Sequence, residues 1–143
     1  MNVLRDAIAP LARGGRFFAA VKVAGKHQYS IAMIARGEAD IAAIDCVTNG
    51  LMAKHDPASV AGTRVLMETN AAPALPCVTG AETSSDDQKR LRGALNRAVT
   101  DLDLTAAQQA LLVKGFADLE LDDYGVKLRM EDNATTAGYG VLK

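Results

Sequence analysis

The sequence predicts an α/β fold in its first half that gives way to helices alone after residue 84. Three observations carry that expectation. Short apolar runs alternate with helix-like segments through residues 17–69, the signature of strands and helices in turn. The stretch "NAAPALPCV", residues 70–78, then places two prolines within four residues and ends the alternation. Behind it, capping patterns introduce apolar residues at helical spacing only.

Taken in order, residues 3–13 read as an amphipathic helix. Val3, Leu4, Ala7, Ile8, Leu11 and Ala12 share a face, Arg5, Asp6 and Arg13 lie off it, and Gly14-Gly15 stops it. "FFAAVKVA", 17–24, suits a strand, with its core near 19–24, and Gly25 breaks it. Ser30 to Arg36 reads as helix, ending at Gly37, and "DIAAI" within 39–44 is a continuous apolar run expected of a strand buried on both faces. Residues 17–44 thus approach the ~30 residues of a βαβ unit with a right-handed crossover. A helix over 47–54 is halted by Pro57, and "TRVLMET", 63–69, is a further strand.

The proline-rich stretch must be extended and poor in ladder hydrogen bonds, a connector between packing units. Ser85 with Gln88 then gives a capping-box pattern, followed by Leu91, Ala94, Leu95, Ala98, Val99 and Leu102 at helical spacing. Thr105 with Gln108 repeats the signal for a helix closing near Gly115. A third helix is expected over about 122–137, ending at Gly138. No internal repeat or low-complexity tract interrupts this order.

Hydrophobic residues make up 49% of the 143, enough for one cored domain or two small lobes. A formal net charge of -1 argues against nucleic acid or an acidic membrane as the main partner. No apolar run approaches the ~18 residues of a membrane span, and "MNVLRDAIAP" mixes charge into its apolar positions, unlike a signal peptide. Cys46 and Cys77 are the two cysteines; their spacing fits free buried thiols and does not demand a disulfide.

Two places carry groups capable of chemistry. In a parallel sheet, ligands sit beyond the carboxyl ends of the strands. Gly25, Lys26 and His27 fall there, at a helix start whose free N–H groups and positive dipole end favour an anion, with His27 and Ser30 as donors. An ordinary βα turn has the same composition, so both readings stand. Asp45 ends the second apolar run; it is either the N-cap of the helix that follows or a carboxylate facing the same crevice, and the two roles are compatible. Cys46 next to it invites a nucleophile with His27 as base, against the simpler reading of a buried thiol. His55 reads as solvated, and Asp122, Asp123 and Glu131 as ordinary helix surface or cap groups without metal-site partners.

These motifs resemble a family: the phosphate/phosphite/phosphonate-type substrate-binding proteins of ABC importers. The resemblance rests on Gly25, His27 and Ser30 in a Gly-x-His-x-x-Ser turn and on Gly37 to Asp40 before a strand. Ile44, Asp45, Val47 and Thr48 match a strand end, Pro73 to Pro76 a hinge return, and "DDYGVKLRMEDNATTAGY" a closing helix. It implies a type 2 periplasmic-binding-protein-like α/β fold, two lobes closing on a ligand across a two-strand hinge. On that reading residues 1–68 are most of lobe two, 69–80 the hinge return, and 81–143 the helical C-terminal portion of lobe one.

The resemblance further implies a periplasmic, non-catalytic receptor without cofactor or metal, binding a small oxyanion and docking on an ABC permease. His27 and Ser30 would contact the anion with Gly25, and Asp45 would orient or receive a polar group. Lys26 stands where a small residue is common, and either strengthens anion binding or is simply exposed. Members that prefer aminoalkyl phosphonates hold the amine with acids or aromatics; Asp45 is the one such group found, so the ligand stays open. Family members are roughly double this length. The chain is therefore expected to be N-terminally truncated, its main phosphate cradle preceding Met1 and Asn2 surviving from that cradle's end. A truncated lobe is expected to be homo-oligomeric, aggregation-prone or partly folded. The alternatives are a regulator's effector domain, an enzyme on the same fold, or a non-functional truncated product.

Overall fold

Asn2–Ile8 forms the first helix, α1, and continues as a 3-10 turn over Ala9–Leu11. The α-helix stops short of the expected residue 13 because Pro10 has no N–H to donate and its ring crowds the preceding turn. The computed structural model describes residues 2–74 and 76–142. Five further helices follow among them: α2 (His27–Ala35), α3 (Cys46–His55), α4 (Ser85–Ala98), α5 (Thr105–Leu111) and α6 (Gly125–Thr136).

The α/β expectation fails at its strands. Among the described residues there is no strand and no sheet; one isolated antiparallel bridge, Arg13 with Arg16, closes the Gly14-Gly15 turn. Residues 19–24, 39–44 and 63–69 are non-helical, as expected, but none of them pairs with another. Several of their apolar residues stay in water: Val23 is 95% exposed and Leu66 66%, while Ile44 is half-buried. An apolar run becomes a strand only where a neighbour supplies ladder hydrogen bonds and a covered face. Neither is present, so the type 2 periplasmic-binding architecture is not what these residues form.

The chain divides into two compact units, Met1–Ala72 with Glu120–Lys143, and Pro73–Leu119. In the first, α1 packs on α6. Ile8, Ala9, Ala134 and Tyr139 form a buried cluster, flanked by Leu4, Ala12, Phe18 and Leu142. The end of α6 builds part of this core. Gly138 takes φ +78°, so that Tyr139 N–H reaches Ala134 O at 2.8 Å and Gly138 N–H reaches Thr135 O at 2.9 Å. That Schellman closure turns the Tyr139 ring onto Ala134, and both residues are fully buried.

Arg5 departs from the helical-wheel reading, which left it off the apolar face. It is buried, with its guanidinium donating to Glu131 Oε1 at 3.1 Å, Asn2 Oδ1 at 2.8 Å and the Gly140 carbonyl. Elsewhere in this unit, Ile31 on α2 is buried, and the 3-10 turn Pro57–Val60 packs against both α2 and α3.

In the second unit α4 starts one residue earlier than the Ser85 pattern suggests. Ser84 is the cap: its Oγ accepts Asp87 N–H at 3.1 Å, and Gln88 Nε2 donates to Thr83 O at 3.0 Å. Of two adjacent serines, the one three residues before an acid gains a reciprocal partner, since the Ser84 hydroxyl also donates to Asp87 Oδ2 at 2.8 Å. Gln108 does not serve as a box residue for Thr105. It bridges the helices by donating to the carbonyls of Ala98 and Asp101 at 2.8 and 3.0 Å. Helix α5 closes at Leu112 rather than near Gly115. The proline-rich connector carries no helix, and its Leu75 lies outside the described residues.

Candidate functional site

The turn before α2 places three of the predicted residues. Gly25 takes φ +80°, a conformation that costs an L side chain about 1–2 kcal/mol, and the space around it is open. Lys26 follows in extended backbone as the N-cap of α2, without a side-chain capping bond. Its Nζ lies 5.7 Å from the Tyr29 ring centroid, a cation–π contact. His27 is the first helical residue. Ser30 sits one turn on, and both its N–H and its hydroxyl donate to Lys26 O, at 3.1 and 3.3 Å. The serine proton is thus engaged within the helix's first turn.

Asp45 arrives from the other direction, at the end of the unladdered run "DIAAI". The N-cap reading holds for it. As N-cap of α3, its Oδ1 accepts Thr48 N–H at 2.8 Å. Its second oxygen, Oδ2, lies 3.2 Å from His27 Nε2. One carboxylate therefore joins the starts of two helices. Burial pushes the Asp45 pKa up; hydrogen bonds from the Thr48 hydroxyl and N–H, then the His27 charge and the Val47 N–H, outweigh it and hold the carboxyl below its ordinary range. Both side chains of the pair remain accessible, His27 at 46% and Asp45 at 43%. The pair is an open surface feature.

With Nε2 directed at the carboxylate, Nδ1 has no partner among the described residues, and a protonated ring would offer it as a donor. Lys22 instead reaches past the far end of α2, its Nζ donating to Glu38 O at 2.7 Å. The Thr48 contact follows from local spacing, since an aspartate at an N-cap reaches the N–H three residues on.

Asn2 does not join this group. Its amide donates to Lys127 O at 3.2 Å and Glu131 Oε2 at 3.1 Å, which fastens α1 to α6. Glu131, read as surface, is the carboxylate of that clamp. Cys46 and Cys77 are both free and exposed rather than buried. Among the described residues no cluster of His, Cys, Asp and Glu is arranged to hold a metal ion, and no helix is long and apolar enough to cross a membrane.

The sequence profile of one family, described as ABC transporter, phosphonate, periplasmic substrate-binding protein, matches residues 7–124. The chain belongs to this family. The matched stretch holds Gly25, Lys26, His27, Ser30 and Asp45, and ends just before α6. No curated protein and no solved structure matches the chain. Membership in this phosphonate-binding family gives the chain a substrate-binding role in ABC transport, and the histidine–carboxylate pair lies within the matched region.

Proposed function

We propose that this chain captures a phosphate-, phosphite- or phosphonate-type oxyanion in the periplasm, without catalysis, for delivery to an ABC permease. The anion rests against the first turn of α2, whose free N–H groups suit it. His27 donates to it from Nδ1, and Lys26 adds a charge. Ser30 contributes its hydroxyl by exchanging the Lys26 carbonyl for an anion oxygen. Asp45 stays on the far side of the ring and fixes the imidazole's orientation through the Nε2 contact.

The observation that carries this reading is the 3.2 Å contact between His27 Nε2 and Asp45 Oδ2 at the starts of α2 and α3. Family membership supports the choice of ligand class. A carboxylate directly in an anion site would repel its guest; one bound to the back of an imidazolium is offset by it. The test is thermal unfolding of the chain titrated with inorganic phosphate, phosphite and methylphosphonate. A ligand that binds the native state raises apparent stability by about 2.7 kcal/mol at a hundredfold excess over Kd. A saturable rise with at least one of these anions, lost in His27→Ala, is expected. No rise with any of them overturns the proposal.

A further inference from the structure

Residues 63–69, Thr-Arg-Val-Leu-Met-Glu-Thr, are self-complementary when the segment is set against its own reverse. Reflected about Leu66, Val65 falls opposite Met67, Arg64 opposite Glu68, and Thr63 opposite Thr69. We propose that this segment is a self-association surface, on which two copies of the chain pair antiparallel with Leu66 at the two-fold axis.

The segment is free to do so. Val65, Leu66 and Met67 are 67%, 66% and 64% exposed, so neither alternate face is packed on the chain's own core. From Arg64 to Thr69 no backbone group is hydrogen-bonded to another described residue. Arg64 and Glu68 take no part in the ion pairs of the described residues. An edge of unmade backbone bonds with three consecutive bare apolar residues is a template for strand addition.

The choice of a second copy rests on charge and register. A two-fold interface must be self-complementary, residue i meeting j while j meets i. About Leu66, each Arg64 meets a Glu68, and the apolar residues meet one another. A slip of one residue would set Glu68 against Val65 and Arg64 against Thr69, leaving every charge unmatched. A parallel pairing would align Arg64 with Arg64 and Glu68 with Glu68. Hydrogen-bonded pairs alternate along an antiparallel ladder. If Leu66 forms such a pair with its symmetry mate, so do Arg64 and Glu68, and Thr63 N–H is left out. That N–H is already occupied, donating to Val60 O at 3.0 Å.

Sedimentation equilibrium of the full chain tests this. The wild-type chain should be a concentration-dependent dimer. Arg64→Glu alone, or Glu68→Arg alone, sets like charges opposite at both ends of the ribbon and should weaken the dimer roughly tenfold. Mixing Arg64→Glu chains with Glu68→Arg chains restores both opposite-charge pairs and should recover wild-type affinity as a heterodimer. Leu66→Lys, which places two ammonium groups at the axis, should abolish it. Should a charge reversal lose the helical circular dichroism, Arg64→Gln and Glu68→Gln serve in its place, each weakening the dimer. A wild-type chain that stays monomeric at its highest soluble concentration overturns the proposal. So does a dimer indifferent to the charge variants, or a mixture no tighter than its components.

Discussion

His27 Nε2 and Asp45 Oδ2 lie 3.2 Å apart, although each residue opens a different helix. The contact ties the N-terminus of α2 to the cap of α3, so the geometry of the candidate anion site and the stability of α3 share one carboxylate.

Replacing His27 by alanine removes one charge-assisted hydrogen bond to a bound anion. In isothermal titration with methylphosphonate or phosphate, affinity should fall by roughly 1.5–3 kcal/mol. Because the ring is nearly half exposed, the unfolding midpoint should move little. An unchanged affinity would leave His27 a structural partner of Asp45.

Asp45→Ala should destabilise the first unit by about 1 kcal/mol through loss of the α3 cap. The pH dependence has a defined sign. The folded carboxyl titrates below its ordinary value. The ionised group's contribution is therefore fully present above the unfolded carboxylate pKa of about 3.9 and is lost as pH falls through the lower folded value. Urea unfolding of wild type and Asp45→Asn should differ by a constant amount near neutrality, and that difference should shrink below about pH 4. A difference that grows on acidification would contradict the cap's role.

Arg5 and Glu131 form an unequal pair, with side chains 10% and 47% exposed. Arg5→Ala removes the cation that Glu131, Asn2 and the Gly140 carbonyl share, at an expected cost of roughly 2–3 kcal/mol. Glu131→Ala keeps two of the three acceptors and should cost less than Arg5→Ala. Equal losses in urea denaturation would show that the ion pair alone holds α1 to α6.

The Tyr139 hydroxyl is buried and has no hydrogen-bond partner among the described residues. Tyr139→Phe removes that group without changing the ring's packing. It should leave the unfolding midpoint unchanged or raise it by up to about 1–3 kcal/mol in stability. A clear loss of stability would mean that the hydroxyl is satisfied in solution by a bound water.

Local chemistry made the helices and much of the candidate site legible. Asp45 caps α3 because a carboxylate three residues before Thr48 can reach its N–H whatever the rest of the chain does. Gly138 ends α6 for the same kind of reason, since a positive φ at that point is a local requirement. The turn Gly25-Lys26-His27-x-x-Ser30 was readable as a helix start within a matching family pattern. What no local rule could decide was whether "FFAAVKVA", "DIAAI" and "TRVLMET" become strands. A strand's hydrogen bonds belong to two segments at once, and here no described segment offers the second half.

Arg5 teaches the same lesson from the side-chain direction. Its charge placed it outside the core, and only the approach of α6, carrying Glu131 and the Gly140 carbonyl, made burial favourable. The sequence by itself determined which segments become helices, because capping and helical spacing depend on neighbours within one turn. The tertiary structure alone decided that the apolar runs stay unladdered, that Asn2 serves the α1–α6 clamp, and that His27 meets Asp45. Each of those depends on a partner many residues away, whose position no local interaction sets.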